Sequence, residues 1–73
     1  IMPSKVILVS GLANADALKE HVQSNYTLLH HFDFKDHHAY TQQDWKTIVA
    51  KAREHQAVII TTEKDKAKLE ALA

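Results

Sequence analysis

Three short apolar runs, Lys5 to Val9, Tyr26 to Phe34 and Ala57 to Thr61, alternate along the chain with three segments of helical period. This order leaves few folds open, because strands separated by helical crossovers pair in parallel and must be covered by the helices that join them. The runs at 5–9 and 57–61 show little alternation, as expected of strands buried on both faces. The middle run alternates. Tyr26, Leu28, His30, Phe32 and Phe34 fall on one face, and Thr27, Leu29, His31 and Asp33 on the other.

The helices between these runs carry their own signals. Asn14 is placed to cap a helix reaching about Ser24, with Leu18 and Val22 four residues apart on one stripe. Thr41 followed by Asp44 reads as a capping-box variant, and Trp45, Ile48, Val49 and Ala52 follow at i, i+3, i+4 and i+7. Thr62 is an N-cap candidate before Glu63 and Asp65, whose charges suit the positive end of a helix, with Leu69 and Leu72 holding that helix to the sheet. The spacing predicts a small three-layer α/β domain, βαβαβα, with a parallel three-stranded sheet in the order 2-1-3 and a half-Rossmann character. Residues 1–73 read as a single domain, with no repeat, linker or low-complexity tract.

Composition narrows the partners. Nine Lys and Arg balance nine Asp and Glu, so no basic face marks a nucleic-acid binder. Cysteine is absent, which excludes disulfide and thiolate chemistry. No apolar run approaches the roughly 20 residues of a membrane span, and the segment itself is expected to be soluble. At 73 residues the chain can bury only roughly 60% of its unfolded surface, so a helper surface or weak self-association is plausible. Ile1-Met2-Pro3-Ser4 leads straight into a strand and Leu69 to Ala73 ends inside a helix, the look of a piece taken from a larger protein.

Three polar segments follow the carboxyl ends of the predicted strands: Ser10 to Asn14, Asp36 to Tyr40 and Thr62 to Asp65. Loops at that rim are where α/β folds build sites. Each segment also has a structural explanation. Gly11 allows a tight bend and Asn14 is a cap. Asp36 beside His37 and His38 can fix an imidazole tautomer and support proton exchange, or it can satisfy turn amides while one histidine packs and the other is solvated. Tyr40 is expected to lie as a lid over the neighbouring helix. Lys64 can meet a phosphate or a partner carboxylate, or remain solvated. His30 and His31 should point to opposite faces, so a native metal site is not expected, and His21 and His55 read as helix-surface residues. No G-x-x-x-x-G-K-[ST] loop occurs, so the chain lacks a nucleotide-phosphate cradle of that kind.

Three ordered segments, Ser10-Gly11-Leu12-Ala13-Asn14-Ala15, Phe34-Lys35-Asp36-His37-His38-Ala39-Tyr40-Thr41 and Thr62-Glu63-Lys64-Asp65-Lys66-Ala67-Lys68, resemble motifs of the tetraacyldisaccharide 4'-kinases. In that family a strand leads into Gly-Ile-Ala-Asn-Pro, a Phe-Pro-Asp-His-His-x-Tyr or Phe-x-Asp-His segment follows, and Thr-Glu-Lys-Asp-Ala-Val-Lys stands near the end. The resemblance covers nearly the whole chain. Ala15, Lys35 and Lys66 depart from the family pattern and bear on turn geometry more than on chemistry.

The resemblance implies the carboxy-terminal lobe of a two-lobe kinase that phosphorylates the 4' hydroxyl of the tetraacyl glucosamine disaccharide 1-phosphate in lipid A biosynthesis. His37 would match the histidine that works at the acceptor hydroxyl with an aspartate of the other lobe, and Asp36 would orient it. Gly11, Asn14, His38, Thr62, Glu63, Lys64 and Asp65 are candidates for binding substrate or nucleotide. ATP and Mg2+ would be held mainly by the amino-terminal P-loop lobe, which is the implied partner along with the lipid A disaccharide precursor. No cofactor is expected on this segment alone, which should not turn over. The parent would sit on the cytoplasmic side of the bacterial inner membrane. Two other classes compete: a non-catalytic half-Rossmann interaction module whose polar turns only cap helices, and a metal-binding module dependent on His37 or His38.

Overall fold

The computed structural model describes residues 4–72; the expectations for Ile1, Met2, Pro3 and Ala73 lie outside the described residues. Six elements follow in strict alternation: β1 (Lys5–Ser10), α1 (Asp16–Asn25), β2 (Thr27–Asp33), α2 (Gln42–His55), β3 (Val58–Thr61) and α3 (Glu63–Glu70). The strands form one parallel sheet in the order β2-β1-β3, as the alternation of elements predicts.

The central strand owes its place to its sequence. Val6, Ile7, Leu8 and Val9 are all buried, and only a strand flanked by neighbours and helices on both faces can hide four consecutive apolar side chains. Val6 and Leu8 join Val22, Leu18, Leu28 and Ile60 beneath α1. Val9 joins Ile48 of α2 and Leu69 of α3 on the opposite face, with Phe32, Phe34, Tyr40, Trp45, Ile59 and Leu72 around them. One helix therefore covers one face and two cover the other. Right-handed crossovers that leave in opposite directions across a sheet put α1 and α2 on opposite faces.

The middle strand departs from simple alternation. Val6 pairs with Leu28 but Ile7 pairs with His30, so Leu29 is an extra residue forming a β-bulge. Leu28 consequently packs on the α1 side, whereas Phe32 packs on the α2 side. The expectation of one face shared by Leu28, His30, Phe32 and Phe34 is corrected by that single inserted residue. Tyr26, placed in this strand by its pattern, is instead the C-cap of α1, with its N–H donating to Val22 O, and is exposed.

The helix starts follow local chemistry. Thr41 and Asp44 form both arms of the capping box, Asp44 N to Thr41 Oγ1 at 3.1 Å and Thr41 N to Asp44 Oδ2 at 3.0 Å. Thr62 caps α3 by accepting from Asp65 N at 3.1 Å. At α1 the cap lies one residue earlier than an N-cap side chain would: Ala15 holds that position without a side-chain bond, while Asn14 Oδ1 accepts from Asp16 N at 3.0 Å. α2 ends at Gln56 in the left-handed region, φ 53°, and Ala57 N donates to Ala52 O. Among the described residues no helix is long and apolar enough to cross a membrane.

Candidate functional site

The loops after β1, β2 and β3 meet at the carboxyl rim of the sheet, and a buried carboxylate is their junction. Asp65, 1% exposed, accepts from Gly11 N at 3.0 Å and from Thr62 Oγ1 at 2.6 Å. Burial alone would raise its pKa, but the hydrogen bonds from Thr62 and from the Gly11 N–H outweigh that and hold the carboxyl below its usual range. The sequence reading gave Asp65 a helix-dipole role. Asp65 does stand in the first turn of α3, and its side chain in addition turns inward to tie the loop after β1 to that helix, while Glu63 in the same turn stays exposed.

Gly11 has a different function from the one its residue type predicts. Its φ is not positive, so no left-handed bend requires glycine. Close approach does. A Cβ there would lie 3.0 Å from Asp65 Oδ1, 3.2 Å from Tyr40 Oη and 3.3 Å from the Lys35 carbonyl oxygen. Tyr40 packs against the cluster that holds Ile48 of α2 and Leu69 of α3, as expected of a cover over the neighbouring helix, and reaches Gly11 as well. Its hydroxyl is buried beside Asp65 and its ring stands edge-on to Phe34 and His38, with centroids at 5.2 and 4.9 Å. Burial, then the negative charge of Asp65, pushes the Tyr40 hydroxyl well above the ordinary tyrosine range, so it stays protonated.

The two adjacent histidines part company. His38 stacks on Phe34, centroids 4.4 Å apart, and its Nε2 meets Asp44 Oδ2 at 2.9 Å. That bond is the main reason, ahead of the Thr41 amide, that the Asp44 carboxyl lies below its ordinary pKa. One carboxylate oxygen thus serves the capping box and the imidazole together. Lys68 Nζ donates to the His38 carbonyl at 3.3 Å, binding the turn to α3.

His37 lies outward, 74% exposed, on a backbone with φ 60°. A non-glycine residue in that region is uncommon, although histidine enters it more readily than most. Its Nε2 is 3.5 Å from Asp36 Oδ2 and its Nδ1 is 3.1 Å from Lys64 Nζ, while Lys64 Nζ is 3.9 Å from Asp36 Oδ1. Asp36, His37 and Lys64, 27 residues apart at the extremes of the His37–Lys64 contact, form one exposed cluster at the start of α3.

Of the residues predicted for the site, Asp36, His37 and Lys64 gather at the surface and Gly11, Thr62 and Asp65 gather beneath them. His38 is drawn into the aromatic layer between. Asn14 bonds to its own helix start and Glu63 makes no hydrogen bond to the cluster among the described residues. Asp44, Lys68 and the Tyr40 hydroxyl were not foreseen as parts of the rim. The signal for Asp44 was its position at the third residue of a capped helix, close after two histidines. A second pairing was also missed: buried Ser10 Oγ lies 2.7 Å from His31 Nε2 under the α1 face. Burial lowers the His31 pKa despite the nearby Asp33. A hollow of about 420 Å3 between β2 and α2, lined by His30, Phe32, Thr47, Ala50, Lys51 and Glu54, lies away from this rim and gathers none of its chemistry.

Comparison with known proteins gives one consistent answer. Residues 2–73 match the family described as tetraacyldisaccharide-1-P 4'-kinase. The chain is 35% identical over 63 residues to a tetraacyldisaccharide 4'-kinase of Cytophaga hutchinsonii, an alignment covering 84% of this chain and 18% of that protein. It is 33% identical over 67 residues to a tetraacyldisaccharide 4'-kinase of Pelagibacter ubique, covering 90% of this chain and 21% of that protein. The chain thus spans about a fifth of the length of the curated relatives it matches. No solved structure matches the chain significantly.

Proposed function

The chain belongs to the tetraacyldisaccharide-1-P 4'-kinase family, and on that premise we propose that it is the carboxy-terminal lobe of a two-lobe, ATP-dependent lipid A 4'-kinase. The parent transfers the γ-phosphate of ATP to the 4' hydroxyl of a tetraacyl glucosamine disaccharide 1-phosphate. The acceptor oxygen bonds to the γ-phosphorus as the bond to the β–γ bridging oxygen breaks, ADP departs, and the hydroxyl proton passes to a base. Catalysis of this kind rests on positioning and charge rather than on covalent chemistry by the protein.

The observation that carries the reading is the exposed Asp36-His37-Lys64 cluster joined to buried Gly11 and Asp65 and half-buried Thr62, all within segments that resemble motifs of the family. His37 faces solvent, as a group must if it is to meet substrate or a second lobe. We place His37 at the acceptor hydroxyl with Asp36 as its orienting carboxylate. The chain's own residues do not fit a nucleotide–metal site: the sequence has no P-loop, and among the described residues no group of three His, Asp or Glu converges where a cation could sit. ATP and Mg2+ are assigned to the remainder of the parent, which this lobe completes on closure. As part of the same reading, the parent works at the cytoplasmic face of the inner membrane.

The test is γ-phosphate transfer to the disaccharide 1-phosphate by the intact parent, comparing wild type with His37→Ala and His38→Ala at matched folded fractions. The expected result is a loss of about 10²- to 10⁴-fold in kcat for His37→Ala and little change for His38→Ala, whose side chain is engaged with Phe34 and Asp44. Unchanged turnover for both makes the turn structural. Absence of transfer by wild type points to a non-catalytic interaction module. The isolated 73-residue chain is expected to show no transfer, and measurable turnover by it would contradict the lobe assignment.

A further inference from the structure

Lys64 reaches across from α3 to the imidazole of His37, as Lys68 does to the His38 carbonyl, and its chemistry constrains that histidine. An ammonium has three donors and no acceptor. At 3.1 Å from His37 Nδ1 it can only donate to the ring nitrogen's lone pair, so Nδ1 carries no proton and the neutral ring carries its proton on Nε2. That nitrogen lies 3.5 Å from Asp36 Oδ2, so the Nε2–H faces a carboxylate rather than another donor. Lys64 Nζ is also 3.9 Å from Asp36 Oδ1, and the ammonium therefore neighbours both the ring and the carboxylate.

Both ends of the contact are anchored. Lys64 occupies the first turn of α3 immediately before Asp65, which is buried and bound to the Gly11 amide. His37 follows Asp36 in a turn closed by the His38 N–H to the Lys35 carbonyl at 3.0 Å. The reading of Lys64 as a ligand for phosphate is thereby given a competitor on the chain itself, because its near neighbours are an imidazole and a carboxylate.

We propose that Lys64 is a positioning residue that holds His37 in the Nε2–H tautomer, so that His37 presents a hydrogen-bond donor, not a proton acceptor, at Nε2. The inference rests on the kinase reading for its catalytic consequence, but the tautomer can be measured without it. In the active site such a histidine, oriented by Asp36, positions the acceptor hydroxyl as a hydrogen-bond donor, and the acceptor proton leaves to another base.

The experiment is long-range 1H–15N correlation on the intact protein labelled at histidine, at a pH where imidazole is neutral and lysine charged, with kcat and KM measured on the same samples. Wild-type His37 should show Nε2 protonated and Nδ1 bare. Lys64→Met should shift both nitrogens toward the averaged values of mixed tautomers and lower kcat with little change in KM. Lys64→Arg, another cationic donor, should restore the tautomer and part of kcat. A protonated Nδ1 in wild type, or a Lys64→Met protein with unchanged ring signals, overturns the proposal. A rise in KM alone, with the tautomer unmoved, makes Lys64 a phosphate ligand instead. If Lys64→Met shifts the tautomer while His37→Ala leaves transfer intact, the catalytic placement of His37 fails and the Lys64–His37 relationship stands.

Discussion

The Gly11 N–H donates to Asp65 Oδ2 at 3.0 Å, and the other oxygen of the same carboxylate lies 3.0 Å from the point where a Cβ on that glycine would sit. Backbone and side chain are in contact with no room for a methyl group. This joins the end of the central strand to the start of the last helix, residues that are 54 apart in sequence.

Gly11→Ala should therefore destabilise the fold by about 1–3 kcal/mol, the usual cost of overpacking a close contact. The Lys35 carbonyl, 3.3 Å from the added methyl, belongs to the backbone and cannot swing aside. Tyr40→Phe removes the hydroxyl at 3.2 Å, so the double variant should recover part of the loss. Urea unfolding of the two single variants and the double variant measures this, and strict additivity would show that Tyr40 is not part of the crowding.

Asp65→Asn keeps the shape, and its one amide oxygen can still accept from both the Gly11 N–H and the Thr62 hydroxyl, which share Oδ2, but the acceptor loses its charge. A loss of about 1–2 kcal/mol is expected as two charge-assisted hydrogen bonds become neutral ones. The acid limb should change as well. A carboxyl whose folded pKa is depressed contributes stability above its unfolded value, about 3.9, and loses it as pH falls through the folded value. The variant should lack that part of the acid dependence in unfolding titrations followed by circular dichroism.

His37→Gly should separate stability from chemistry. At φ 60° a histidine bears left-handed strain that glycine does not, so relief should offset the glycine's greater unfolded-chain entropy and leave a net gain of about 0.5–1 kcal/mol. Phosphoryl transfer by the parent should fall with the imidazole. A variant both less stable and fully active would contradict the reading on each count.

His31 gives the fold a dependence on pH near neutrality. Burial lowers its folded pKa, so the unfolded chain binds the proton more tightly. Its contribution is fully present above the ordinary histidine value of about 6.5 and is lost as pH falls below it. Comparing unfolding midpoints at about pH 5 and pH 8 should show this loss in wild type and a flatter profile in His31→Gln, which cannot take up a proton.

The element order and sheet order were legible because each depends on short-range information: branched runs for strands, the Thr41–Asp44 and Thr62–Asp65 spacings for helix starts, Ile48 and Ala52 for the buried stripe of α2. The inner site was less legible because it depends on which way a side chain turns. Glu63 and Asp65 are equivalent as acidic residues in a first turn, and only their angular separation around α3 sends one to solvent and the other to Gly11. Asp36 and Asp44 were both near the histidine pair. Their division, one to each ring, follows from the start of α2 placing Asp44 under His38. Leu29 gave no sign of being an extra residue, since a bulge leaves the period-two pattern of β2 intact in sequence and breaks it only in the pairing.

That bulge makes the middle strand unequally tolerant of a change in length. Because Val6 pairs with Leu28 and Ile7 with His30, loss of Leu29 would give one partner to each residue of β1 and leave every remaining side chain on its present face. Loss of Phe32 instead would remove the ring that packs with Ile48 and Leu69 and leave its place opposite Val9 to a polar neighbour. A single-codon deletion series through Thr27–Asp33 should therefore retain folded protein best at the Leu28-Leu29 pair, where loss of either codon encodes the same chain and the same core, and worst at Phe32.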